Sequence, residues 1–193
     1  MDTKEYKVTL TLMEDLLGTI PKNREVYKTY IASKAADLGL AEEEVATVPQ
    51  LEEKGWTGFH EDKDGKPFLY NYTIKGFLCE AARTVKFGAL KQLQDKFKRH
   101  VFVSPRKIHI GEIDGCLERP LRAMTAQGPR VTLVRSDVIP AGREINFKLT
   151  VIQGIGITEN CLREVFAYGR FIGLGQWRSG GYGNFELTTL DEI

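Results

Sequence analysis

From Tyr6 to Leu12 the chain alternates without a break. Tyr6, Val8, Leu10 and Leu12 fall on one side, and Lys7, Thr9 and Thr11 on the other. A period of two with one apolar side predicts a strand with one buried face. Gly18 and Pro21 follow as turn signals. Residues 23–38 change to a helical period, placing Val26, Tyr27, Tyr30, Ile31, Ala35 and Leu38 on one face, with Gly39 as the stop. The acidic run AEEEVATVPQLEEKG, broken by Pro49, reads as irregular or short helical surface. TGFHEDKDGKPFLYNY then predicts a hairpin that turns at Asp64-Gly65.

A second helical period follows Thr73, the expected N-cap, and carries Ile74, Phe77, Leu78, Ala81 and Val85. Past Gly88, where the helix can kink, Leu90, Leu93 and Phe97 continue a helical stretch whose outer face is Lys91, Lys96, Lys98 and Arg99. HVFVSPRKIHI predicts strands, with Pro105 at an edge or bulge. VTLVRSDVIPAGREINFKLTVI predicts two strands around a Pro-Ala-Gly turn. In the second of them Ile145, Phe147, Leu149 and Val151 alternate with Asn146, Lys148 and Thr150. Thr158 opens the last helix, turning Leu162, Val165, Phe166 and Gly169 inward, and YGNFELTTL predicts the last strand. With residues 18–72 set aside as a helical lobe inserted after the first strand of a single domain, 1–193, the order is strand, helix, strands, helix, strand. That order predicts an α+β fold of ferredoxin-like pattern, an antiparallel sheet with two helices on one face and the other face free for ligands.

Composition allows this and narrows the chemistry. The 193 residues are 42% hydrophobic, enough for one buried core. Neither a signal peptide nor an apolar run of bilayer length is present, so a soluble cytoplasmic protein without membrane contact is expected. Cys79, Cys116 and Cys161 are dispersed, and His60, His100 and His109 have no partner at ligand spacing, so neither a disulfide framework, a metal site nor a cofactor is expected. The net charge of +1 hides an asymmetry. Residues 1–70 hold nine basic and 14 acidic residues, and the remainder holds 18 and 12. A basic remainder suits an anionic partner; two ordinarily solvated surfaces are the plain alternative.

The densest candidate chemistry is GLGQWRSGGYGNFEL, residues 173–187, in which Gly173, Gly175, Gly180, Gly181 and Gly183 are interleaved with Trp177, Arg178, Ser179 and Tyr182. Three readings compete: a loose loop, a phosphate cradle, or a tight turn on which another backbone packs. Arg178 can pair with phosphate and Trp177 or Tyr182 can stack on a base, unless Trp177 is a core plug. Lys75 near a helix start can strengthen an anion site or be a surface lysine. Arg119, Arg122, Arg130 and Arg135 belong to a long connection around GCLERPLRAMTAQGPR, which carries Leu121 and Met124 and suits an extended hairpin; solvated loop charges are the plain alternative.

Four stretches in this order resemble the RAMP superfamily, the RRM-like subunits of CRISPR effector complexes, and most of all the backbone subunits that polymerise along guide RNA. They are TLMEDLLGT, DGKPFLYNYTIKGFLCEA with Thr73-Ile74-Lys75-Gly76 on the family's helix-start motif, SDVIPAGREINFKLTV, and GLGQWRSGGYGNFEL. Asn71-Tyr72-Thr73 replaces the family's small Gly-Ser-Ser, and Cys79 stands near the place of an expected arginine. The resemblance implies a subunit of a CRISPR-type ribonucleoprotein, or of a related multi-copy assembly in antiviral defence, that binds single-stranded RNA or DNA. It implies nucleic-acid contacts from Lys75, Arg122, Arg130, Trp177, Arg178, Ser179, Gly180 and Tyr182. The alternative is a stand-alone or virus-encoded relative that docks on such a complex without nucleic acid. Some family members cut RNA with an aspartate ahead of the first helix. Asp62 and Asp64 occupy the comparable segment beside His60 and Glu61, but no second acid, base or ligand set accompanies them, so a non-enzyme is expected.

Overall fold

A computed structural model describes residues 2–32, 46, 48, 55–86, 92–125 and 128–193. Strand β1 (Thr3–Leu12) is followed by β2 (Leu16–Leu17), β3 (Ile20–Pro21) and α1 (Arg24–Ala32). Next come β4 (Trp56–Gly58), β5 (His60–Glu61), β6 (Pro67–Tyr70), α2 (Asn71–Thr84), α3 (Leu93–His100), β7 (Val101–Ser104) and β8 (Lys107–His109). The chain closes with β9 (Cys116–Thr125), β10 (Gly128–Ile139), β11 (Glu144–Ile152), α4 (Glu159–Ala167), α5 (Gly169–Ile172), a 3-10 turn at Arg178–Gly180 and β12 (Phe185–Glu192). The fold is α+β. Among the described residues, no helix is long and apolar enough to cross a membrane.

The principal sheet has the order β12-β1-β11-β7. Each neighbouring pair in it is antiparallel, with Tyr6 opposite Leu149 and Val8 opposite Phe147. The alternation expected in β1 and β11 is observed except at Thr9, which is buried on the opposite face with its hydroxyl donating to Asn146 Oδ1. Tyr6, Val8, Leu10, Leu12, Ile145, Phe147, Leu149 and Val151 are all buried. They meet Ile74, Phe77, Leu78, Ala81 and Ala82 of α2 and Cys161, Leu162, Val165 and Phe166 of α4 in one continuous core. Phe77 is its junction, packed on Phe185 of β12 at 4.8 Å and on Phe166 at 6.4 Å between ring centroids. Thr158 caps α4, its hydroxyl accepting from the Cys161 amide, which matches the expected start.

Several local expectations shift. The hairpin at Asp64-Gly65 forms between β5 and β6, with His60 opposite Phe68 and Gly65 at φ 75°. Helix α2, however, starts at Asn71, two residues before the expected cap. The Asn71 amide donates to the Arg106 carbonyl and its side-chain Nδ2 to the Val103 carbonyl, so contacts to the β7–β8 turn set the start instead of a local cap. Val26, expected on the buried face of α1 beside Tyr27, is 42% exposed while Tyr27 is buried. Most of the acidic run, Gly88–Lys91 and the rest of the expected helix face from Ala35 to Gly39 lie outside the described residues.

The Pro140-Ala141-Gly142 turn does not fold a hairpin within one sheet. β11 belongs to the principal sheet, whereas β10 pairs with β9, β2 and, in parallel, β4. The turn docks instead on the end of β1. Gly142 donates to the Leu12 carbonyl at 2.7 Å, and Ala141 donates to the Asp15 carboxylate at 2.9 Å. Residues 16–21 and 56–70 therefore supply strands to two smaller sheets, in addition to the helix α1.

Candidate nucleic-acid interface

The glycine-rich stretch is a tight turn that other backbone packs against. A Cβ on Gly173 would sit 2.5 Å from the Gly183 carbonyl carbon, and one on Gly175 would sit 2.6 Å from the Leu17 carbonyl oxygen. Both residues have positive φ, which only glycine adopts without strain. Leu174 donates to the Gly183 carbonyl, Gln176 to that of Leu17 and Gly183 to that of Asp15, so the loop is sewn to the β1–β2 turn. The Gly180 and Gly181 amides close the 3-10 turn onto the carbonyls of Trp177 and Arg178. These amides are thereby already paired, so phosphate recognition here would fall to side chains.

Those side chains are held in place. Trp177 has φ 55°, a left-handed conformation that costs a residue with a Cβ about 1–2 kcal/mol. Its ring stacks on Tyr182 (5.1 Å between centroids, 16° between planes), and the Arg119 guanidinium lies 4.2 Å over it. A Cβ on Gly180 would reach the same ring at 2.8 Å, so that glycine lets the indole lie against the turn. Trp177 nevertheless remains 43% exposed, and is no core plug. Arg178 pairs with Glu80 of α2 at 2.7 Å. Both groups are well exposed, where an ion pair stabilises by at most about 1 kcal/mol and can be exchanged for another anion. Arg178 and Glu80 line a groove of about 270 Å³ with Tyr72, Thr73, Gly76 and Gly173 among others. Ser179 is exposed on the turn.

Beneath the turn, Gln176 Oε1 accepts from the hydroxyls of Ser136 (2.8 Å) and Thr57 (3.1 Å), fastening the root of β10 and strand β4 to the loop. The neighbouring Asp137 carboxylate accepts from Lys22 and from the Trp56 indole, both at 2.7 Å. Residues β9 and β10 form the extended hairpin that the arginine-flanked segment suggested, in register from Cys116–Asp137 to Thr125–Gly128. Arg122 and Arg130 stand near its far end, opposite Val131 and Ala123; their side chains lie outside the described residues. Val131 and Leu133 of the hairpin are more than 60% exposed.

Lys75 is placed differently from the loop residues. Its ammonium donates to the Phe97 carbonyl at 2.6 Å and to that of Val101, satisfying the carbonyls at the end of α3. Burial lowers its pKa, with the Cys79 thiol acting weakly the other way. It lines a separate groove with Lys98, Phe102 and Asn71, which shares Tyr72 alone with the Arg178 groove. Sequence spacing could not show this, because α3 meets α2 only in the tertiary fold. Lys75→Met should lower stability by about 1–2 kcal/mol, the cost of hydrogen bonds from a charged donor. A denaturation midpoint equal to the wild type's would contradict that role.

The acidic segment forms a turn. The Asp62 carboxylate accepts from the amides of Asp64 and Lys66 at 2.9 Å, and these bonds hold its pKa below the usual value. His109 lies 3.7 Å from its other oxygen. His60 is buried among Tyr27, Phe68 and Tyr70, with the Tyr27 hydroxyl 3.4 Å from Nε2. Burial, and secondarily the Lys107 charge, push its pKa down to about 4.

No protein-family model matches the chain, and no curated protein does. Among solved structures, a chain of the Type III-B Cmr-beta bound to cognate target RNA, determined by cryo-EM, is similar at a TM-score of 0.57 and 15% identity. The match covers 99% of this chain and 61% of that one, so the protein spans about three fifths of its neighbour's length. At that identity the likeness is one of fold.

Proposed function

We propose that the protein is a non-catalytic subunit of a CRISPR-type ribonucleoprotein or related multi-copy assembly, acting in the cytoplasm in antiviral defence, and that it binds single-stranded RNA. In this reading the order β12-β1-β11-β7, with α2 and α4 on one face, is the ferredoxin-like arrangement of the RAMP superfamily. The observation that carries the function is the exposed Trp177–Tyr182 stack flanked by Arg119 and Arg178. It lies on a fold whose solved likeness comes from an assembly bound to target RNA. Aromatic faces for bases beside arginines for phosphates are what a single strand requires of a protein surface. Ser179, Arg122 and Arg130 complete the proposed surface, Gly180 serves it by giving the Trp177 indole room against the turn, and Lys75 belongs to it only through the adjoining groove.

The test is fluorescence anisotropy on a labelled single strand, run beside a thermal melt. Trp177→Ala should weaken binding by about 1–3 kcal/mol if the ring stacks on a base. Arg178→Ala should reduce the salt dependence by about one single-strand phosphate contact, a slope change of about 0.7. Glu80→Gln, which frees Arg178, should bind more tightly than the wild type. No binding by the wild type at low salt would end this reading. The interaction-subunit reading, favoured by the exposed Val131 and Leu133 on the hairpin, would then take its place. RNA cleavage that disappears in Asp62→Ala would overturn the non-catalytic assignment.

A further inference from the structure

Among the described residues, Arg119 is a buried charged side chain whose Nε finds no partner within the protein. It is 8% exposed, on the root of β9 opposite Val134. Among the described residues it forms no ion pair and donates no hydrogen bond; its Nε is sealed from solvent and unpartnered. Its contact is the face of Trp177, which orients the guanidinium plane but accepts no hydrogen bond from it. A buried cation without a counter-charge opposes folding, and an indole face offsets only part of that. The position is nonetheless rigid: Ser136 and Thr57 bind Gln176 on one side of Trp177, and Tyr182 stacks on the ring itself. Nearby, Arg135, by contrast, is paired with Glu118 at 2.8 Å. Among the described residues the fold thus holds one largely buried guanidinium against an indole face, its Nε sealed and no acid paired with it.

We propose that Arg119 is a phosphodiester receptor, its guanidinium held flat on Trp177 so that the fork takes one backbone phosphate of a bound single strand. This rests on the nucleic-acid reading above and adds to it a residue and a role. A planar fork suits two oxygens of one phosphate, which a lysine ammonium cannot match. Because the counter-charge comes from the ligand, the free protein gains no stability from Arg119, and this separates a receptor from a structural arginine.

The experiment compares wild type, Arg119→Met and Arg119→Lys by thermal melting and by anisotropy on a labelled homopolymeric single strand over a salt series. Inorganic phosphate serves as a competitor. Arg119→Met should melt no lower than the wild type, bind several-fold more weakly at low salt, and lose about 0.7 from the slope of log K against log salt. Arg119→Lys should keep the slope and lose affinity. Inorganic phosphate at concentrations matched in ionic strength should compete no better than chloride if the receptor reads a strand; selective competition would assign the site to free phosphate instead. A Met variant with the wild-type slope overturns the receptor while leaving the nucleic-acid reading intact. A wild type that binds no strand removes both. Should the Met variant fail to fold, the Lys variant decides, since wild-type affinity in it rejects the fork.

Discussion

Gly183→Ala is expected to cost more than about 4 kcal/mol, the range reserved for substitutions that the structure cannot absorb. Its Cβ would overlap the carbonyl oxygen of Leu174, and behind that oxygen stands backbone, which cannot swing away as a side chain can. The residue also has φ 72°, so a left-handed strain adds to the overlap. The crossing it occupies is the one at which Leu174 bonds to the Gly183 carbonyl and Gly183 to that of Asp15. Pushing the two segments apart would therefore break the loop's attachment to the β1–β2 turn. Gly181→Ala is the matched control. Its φ is 89° but its Cβ would meet nothing within 4 Å, so only the conformational cost of about 1–2 kcal/mol applies. Urea denaturation of both variants tests the argument, and equal losses would show that the close approach is not what the glycine serves.

Acid should destabilise the protein through His60 in a defined window. The imidazole is 3% exposed and stays neutral in the fold down to about pH 4, whereas the unfolded chain protonates it near 6.5. Between those values the unfolded state binds more protons, so stability falls as pH falls, and the loss is complete below the folded-state value. At about 1.4 kcal/mol per pH unit the full effect is about 3 kcal/mol. The cause is burial against Tyr27, Phe68 and Tyr70 with Lys107 adding a like charge. His60→Phe keeps the ring packing and removes the titration. Its urea midpoint should therefore vary much less than the wild type's between about pH 6.5 and 4. Parallel curves for the two proteins would assign the acid sensitivity elsewhere.

The candidate site was legible in part. The glycine-rich stretch was visible from its composition, and Trp177, Arg178 and Tyr182 from their chemistry. The partners that define their roles were not. Glu80 lies 98 positions from Arg178, and Arg119 and Gln176 reach Trp177 and Ser136 only because the β9–β10 hairpin folds back over the loop. A clue to Arg119 did exist. It is an arginine beside a proline in a segment whose composition suits an extended hairpin. Lys75 shows the opposite case, where a residue type suited to anions is engaged by carbonyls at the end of a neighbouring helix.

What the chain determined locally was whatever one period and one buried side can specify. β1 and β11 alternate because a register slip would turn every apolar residue to water, and Thr158 starts α4 because its hydroxyl needs no distant partner. The tertiary structure decided what depends on groups far apart in sequence. It set the start of α2, through Asn71 on Arg106 and Val103, and it sent β10 and β11 to different sheets through a turn docked on β1. It also decided that three of the five glycines, Gly173, Gly175 and Gly183, serve the close approach of another backbone. Propensity and period act over a few residues, whereas a carbonyl, a carboxylate or an indole face is available to a side chain only once the rest of the chain has brought it there.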